Sequence, residues 1–235
     1  AKQVQSRLKQ LEKIEIISPE QQKKNLRFSF PQPEPSGKLA LTLENISKSY
    51  GPINVFHNIS ITISRNEKIA LVGENGAGKS TLLKIMAGVL SYDSGLRTIG
   101  YKVSTCYFSQ HASESLNEND TIIQAISIPI KDNYDYNENF VRTMAGVFMF
   151  SGDDQFKRIS VLSGGEKKRV ALAAMLIKPA NILFLDEPTN HLDPESAKVV
   201  IKALKDFEGT LVFISHDKEL LYQVPTRIFH IENQK

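Results

Sequence analysis

Apolar positions along the chain follow three different rhythms. Val4, Leu8, Leu11 and Ile14 recur at spacings of four, three and three, which is one stripe of an amphipathic helix. The stripe stops at Ser18-Pro19, because the residue before a proline is pushed out of helical geometry. A helix so short is marginal alone, so it is expected to continue upstream or to pack on something outside the chain, as in a fragment of a longer protein. Phe28-Ser29-Phe30 reads as a short extended piece, and residues 31–37 are too rich in Pro and Gly for regular structure. A domain boundary is placed there. Beyond it the rhythm changes to strict alternation at Leu39, Leu41 and Leu43 and again across Ile59-Ser60-Ile61-Thr62-Ile63, which predicts strands. Residues 69–72 are continuously apolar, as in a fully buried strand, and run directly into a glycine-rich turn.

Composition narrows the class. Of 235 residues, 41% are hydrophobic and 23% charged, which describes a globular chain with ample material for a core. The longest wholly apolar stretch, residues 170–177, is far short of the roughly 18 to 20 residues that a membrane-spanning helix needs. A single cysteine, Cys106, excludes an internal disulfide, and a reducing cytoplasm is the expected setting. Cys106 lies among apolar strand residues and is read as a small buried hydrophobe. The net charge of +3 is too small to argue for nucleic acid, but residues 1–28 hold seven Lys and Arg against three Glu. That basic excess suits a solvated helix face more readily than contact with a phosphate backbone.

Three motifs carry candidate chemistry. Gly73-Glu74-Asn75-Gly76-Ala77-Gly78-Lys79-Ser80, followed by Thr81, fits the phosphate-binding loop pattern and sits between a strand and a helix that begins near Lys79. Such a loop needs backbone N–H groups converging on one concavity, hence glycines at Gly73, Gly76 and Gly78, and the helix adds its partly positive N-terminus. Lys79 is placed on the β- and γ-phosphates and the Ser80 hydroxyl on Mg2+. Asn181-Ile182-Leu183-Phe184-Leu185-Asp186-Glu187 is an apolar strand ending in two carboxylates at the edge where open α/β sheets bind ligands. Asp186 is placed opposite Ser80 to hold Mg2+, and Glu187 is placed to polarise the attacking water, although such a pair also suits a helix cap or plain surface. Leu162-Ser163-Gly164-Gly165-Glu166 opens a helix expected over residues 166–178, with Ser163 as its cap and the glycines leaving room for a phosphate.

Together these motifs, with Asp186-Glu187-Pro188-Thr189-Asn190-His191-Leu192-Asp193 and Phe213-Ile214-Ser215-His216-Asp217, resemble the ATP-binding cassette superfamily over residues 39–231. The string Pro188-Thr189-Asn190-His191-Leu192-Asp193 and the later Ser215-His216-Asp217 resemble its ABC-F branch in particular. The resemblance implies an α/β fold of the P-loop NTPase type, a mixed-sheet core with an antiparallel β subdomain and a small helical subdomain at about residues 111–178. It implies that residues 1–37 are the end of a helical inter-cassette linker and residues 38–235 the ATP-binding cassette domain. It also adds roles that spacing alone does not. Tyr50 matches the aromatic that stacks on adenine, though a tyrosine ending a strand also serves packing. Gln110 matches the glutamine that reaches Mg2+ and the attacking water, His216 the switch histidine on the γ-phosphate, and Asp193 the turn that crosses to a partner cassette. Pro194 after Asp193 also suits a helix cap. His57, His111, His191 and His230 are read as structural.

The resemblance further implies that two cassettes pack head to tail around ATP and Mg2+, so Ser163, Gly164 and Gly165 serve a nucleotide held by another cassette. That partner is the first cassette of a longer protein or a second copy of this chain. The resemblance to ABC-F proteins implies a soluble, cytoplasmic parent protein that is expected to act on ribosomes and tRNA through its linker, without membrane insertion. The rival reading is the ATPase subunit of an ABC membrane transporter, which shares the catalytic residues; a third is a module that binds ATP without useful turnover.

Overall fold

The computed structural model describes residues 35–109, 111–130, 137–190 and 192–232. The expected N-terminal helix, the piece at Phe28-Ser29-Phe30, Gln110 and His191 lie outside the described residues.

Two sheets form the body of the protein. Strands β1 (Leu39–Tyr50), β2 (Ile53–Ser64) and β4 (Ser94–Ile99) make an antiparallel sheet in the order β2-β1-β4. Strands β3 (Lys68–Gly73), β5 (Thr105–Phe108), β6 (Ile182–Asp186), β7 (Thr210–Ile214) and β8 (Arg227–Ile231) make a second sheet, ordered β5-β6-β7-β3-β8. Every pairing in this second sheet is parallel. The alternating runs therefore became the antiparallel sheet, solvated on one side, and the continuous apolar runs became the parallel one, as burial on two faces requires.

Six α-helices, with four short 3-10 helices, lie among the described residues: α1 (Lys79–Ala87), α2 (Ile122–Ser127), α3 (Glu138–Val147), α4 (Gly164–Leu176), α5 (Pro194–Asp206) and α6 (Lys218–Gln223). Strand alternation divides the core in two. Ile69, Leu71, Ile182, Phe184, Val212 and Ile214 face α1 and the antiparallel sheet, packing with Leu41, Ile63, Leu82 and Met86. Ala70, Leu183, Leu185, Leu211 and Phe213 face the other way, into the cluster built on α2, α3, α4 and α5. Arg97 of β4 fastens the antiparallel sheet to the end of α1, its Nε and Nη2 donating to the Met86 carbonyl at 3.0 and 2.8 Å. Helix α4 starts and ends two residues earlier than the expected span of residues 166–178, the Ser163 cap making Gly164 the first helical residue. Cys106 packs against the α2–α5 side, and burial pushes its thiol pKa up.

This topology gathers the motifs. β6, β7 and β3 are adjacent and parallel, so the loops leaving their carboxyl ends meet along one edge of the sheet.

Candidate functional site

A cleft of about 410 Å³ opens at that edge, lined by Asn75, Gly76, Gly78, Lys79, Ser80, Thr81, Asp186, Glu187, Asn190, Ile214 and His216. Its floor is the loop between β3 and α1. Gly78 caps α1 in the left-handed region at φ 94°, and a Cβ there would lie 2.7 Å from the Phe56 ring and 2.6 Å from Val55. Glycine is thus required both by backbone conformation and by the approach of β2. Gly73 does not line the cleft; a Cβ on it would meet the Ile231 carbonyl of β8 at 2.2 Å, so its glycine serves sheet packing. The amides at the start of α1 have no intrahelical acceptors and face the cleft with the positive end of the helix. Lys79 is buried and folds back over the loop, its Nζ donating to the Gly73 and Glu74 carbonyls at 2.8 Å each.

Alternation on β6 places Ile182, Phe184 and hence Asp186 on the face toward α1, where Ser80 stands in the first turn. The Ser80 hydroxyl donates to Asp186 Oδ1 at 3.4 Å, a long bond that leaves both oxygens with lone pairs to share. Asp186 is 5% exposed, and burial raises its pKa against the opposing pull of Ser80, Lys84, Lys168 and Lys79. A buried carboxylate and a hydroxyl, both hard oxygen donors, fit Mg2+, which is usually held by one or two carboxylates together with phosphate oxygens. Among the described residues no three His, Cys, Asp or Glu side chains cluster as a metal site.

The raised pKa has a consequence for stability. A carboxyl that holds its proton more tightly folded than unfolded makes the protein bind more protons when folded, so stability falls as pH climbs from the unfolded value near 3.9 through the raised one. Asp186→Asn removes that cost. Thermal denaturation of the nucleotide-free chain should give a higher Tm for the variant at pH 7, with the gain vanishing below about pH 4. A lower Tm at pH 7 would contradict the assignment of Asp186 as a buried carboxylate whose desolvation outweighs the pull of its neighbours.

Glu187 departs from the strand alternation. Its φ of 52° lies in the left-handed region, unusual for a residue with a Cβ, and its amide donates to the Ile214 carbonyl at 3.1 Å. The carboxylate lies toward the end of β7, where Oε2 accepts from the His216 amide at 3.4 Å and Oε1 stands 3.5 Å from His216 Nε2. An acid and a histidine are therefore paired across the cleft from Lys79 and Ser80.

Other predicted residues stand outside the cleft. Ser163 caps α4 through a reciprocal box, accepting from the Glu166 amide at 3.3 Å while the Glu166 carboxylate accepts from the Ser163 amide at 2.8 Å. Gly164, exposed, and Gly165, half-buried, open the first turn of α4, and a Cβ on Gly164 would meet open space. Asp193 caps α5, accepting from the Glu195 and Ser196 amides at 3.1 and 3.0 Å and from the Ser196 hydroxyl, which holds its carboxyl below the usual range. Tyr50 ends β1 half exposed, away from the cleft lining, with the Lys48 ammonium 5.2 Å from its ring centroid.

Three residues at the site were given no role by sequence reasoning: Asn190 and Ile214, which line the cleft, and Lys168, which bonds two residues of the lining. Lys168 of α4 donates from Nζ to the Glu187 and Asn190 carbonyls at 3.1 and 2.7 Å. The signal was present: Lys168, Ala171, Leu172 and Met175 fall on one buried helical stripe, and a lysine at the head of such a stripe needs buried acceptors.

Comparison with known proteins agrees with this geometry. The ABC transporter family model matches residues 56–190, more than half of the chain. YdiF of Bacillus subtilis, named as an ATP-binding protein, is 40% identical over 99% of this chain and 36% of its own length. ABC transporter F family member 2 of Arabidopsis thaliana is 31% identical over 99% of this chain and 34% of its own. The chain thus spans about a third of the curated relatives it matches. Among solved structures, the dimeric post-hydrolysis state of the ATP-binding cassette MJ0796 with ADP and Pi superposes with a TM-score of 0.70. That match has 22% identity and covers 83% of this chain and 97% of the other. No helix among the described residues is long and apolar enough to cross a membrane. Cleft, motif order, fold and family model agree that this chain belongs to the ABC transporter family, an ATP-binding cassette with members of the F branch among its relatives.

Proposed function

We propose that the cleft binds ATP with Mg2+ and hydrolyses its γ-phosphate, at a site completed by a second cassette. The observation that carries this reading is the convergence of Lys79, the Ser80–Asp186 pair and the Glu187–His216 pair at one sheet edge. The amides of the glycine loop and the Lys79 ammonium cradle the β- and γ-phosphates, Lys79 exchanging the Gly73 and Glu74 carbonyls for phosphate oxygens. Ser80 and Asp186, with Gln110, would hold Mg2+, which would supply positive charge beside the phosphates. Glu187 accepts a proton from the water whose oxygen bonds to the γ-phosphorus as the bond to the β-phosphate oxygen breaks, giving ADP and phosphate. His216 leaves Glu187 to hydrogen-bond the γ-phosphate.

Tyr50 stacks on the base, a role its half-exposed ring permits. Ser163, Gly164, Gly165 and Asp193 serve the nucleotide of the second cassette, either another part of a longer protein or a second copy of this chain; the solved neighbour named as dimeric supports such pairing. The relatives named as F family members support only the F branch. From the resemblance to that branch we read the longer protein as a cytoplasmic, ribosome-associated translation factor rather than a membrane transporter subunit, with the linker reaching ribosome and tRNA. Co-sedimentation tests this with the longer protein carrying Glu187→Gln and its counterpart. Retention on ribosomes in ATP and release in ADP is expected; no retention where ATP binding is verified would overturn the ribosomal role.

A further inference from the structure

Glu187 is held in a left-handed backbone conformation that residues with side chains keep only when their surroundings enforce it. Three bonds converge on its main chain. Its amide donates to the Ile214 carbonyl at 3.1 Å, and its carbonyl accepts from the Asn190 amide at 3.2 Å and from Lys168 Nζ at 3.1 Å. The same ammonium also takes the Asn190 carbonyl at 2.7 Å, so one charge grips both ends of the turn over residues 187–190. Lys168 is 5% exposed, and burial lowers its pKa, opposed by the carboxylates of Glu187 and Asp186. An ammonium kept so far from water is costly unless its bonds are used. The stem that carries it rises from α4, five residues beyond the Ser163 cap.

We propose that Lys168 is a positioning residue for Glu187: it clamps the turn in the conformation that directs the carboxylate into the cleft, and it joins the main chain of that turn to α4. The inference rests on the ATPase reading for its kinetic consequence, while the clamp itself is a property of the nucleotide-free chain. Lys168 does not itself line the cleft and bonds only the backbone carbonyls of Glu187 and Asn190, not the phosphate loop, so its loss acts on turnover rather than on ATP affinity.

The test compares Lys168→Met, which keeps the stem and loses the donors, with Lys168→Gln, which keeps an N–H donor, and with Glu187→Gln. Amide hydrogen exchange of the full nucleotide-free chain should show the Asn190 amide exchanging at least tenfold faster in Lys168→Met. The amides of β7 should be unchanged, and Lys168→Gln should return Asn190 toward the wild-type rate. With Mg-ATP, Lys168→Met should lower kcat at least tenfold and leave KM within about threefold. Unchanged Asn190 exchange overturns the clamp. So does exchange that rises equally in every strand, or a Lys168→Gln variant as impaired as Lys168→Met, since either makes the lysine a part of the core and nothing more. Wild-type turnover by Glu187→Gln would instead sink the ATPase role of Glu187, with the exchange measurement still deciding the clamp.

Discussion

Replacing Glu187 by Gln is expected to lower ATP turnover by roughly a hundredfold or more, the usual contribution of a positioned general base, while ATP affinity stays near the wild-type value. The amide keeps the shape of the side chain and can still meet the His216 amide that Glu187 Oε2 now accepts from at 3.4 Å. It cannot take the proton of the attacking water. Because binding is retained and hydrolysis is slow, the ATP-bound state accumulates, and with it any state that ATP favours over ADP. Single-turnover phosphate release against ATP affinity by calorimetry separates the two effects. Equal rates in wild type and variant would remove Glu187 from the chemistry and leave the carboxylate as a partner of His216 alone.

Lys79→Ala should act on binding itself. The ammonium is the cationic side chain of the phosphate loop lining the cleft, and a hydrogen bond to a charged group contributes about 1.5–3 kcal/mol. ATP affinity should therefore fall by roughly 10- to 100-fold. In the nucleotide-free chain the same substitution strips the Gly73 and Glu74 carbonyls of their donor, so the loop loses its closed form before nucleotide arrives. Titration of the wild type and the variant with ATP and with adenosine divides the contributions: the loss should appear with ATP and vanish with adenosine, which has no phosphates. Unchanged ATP affinity would contradict the phosphate-loop assignment.

Much of this was readable from residue order. Strand, glycine loop and helix place Lys79 and Ser80, and the apolar run before Asp186 places a carboxylate at a sheet edge. Alternation along that strand already puts Asp186 on the same side as Phe184, toward α1. The caps at Ser163 and Asp193 were legible because serine before Gly-Gly-Glu and aspartate before proline have local hydrogen-bond reasons to stop a helix. What was not legible depends on contacts far apart in the chain. The left-handed turn at Glu187 needs Ile214 and Lys168 to hold it. Gly73, read as a phosphate contact, is required by the carbonyl of Ile231. Lys48 and Tyr50 are two apart on β1, but the Asp93 carboxylate that fixes the Lys48 ammonium at 3.2 Å comes from the segment leading into β4 and from no local pattern.

The central claim is that this cleft hydrolyses ATP when a second cassette closes over it. The most direct measurement is steady-state phosphate release with Mg-ATP as the concentration of the chain is raised, with Glu187→Gln as the background. Activity per molecule should rise with concentration and level off as pairs form, because Ser163, Gly164 and Gly165 of one copy stand outside its own cleft. Activity per molecule that is constant with concentration would contradict the shared site, and release no greater than that of Glu187→Gln at every concentration would contradict hydrolysis itself.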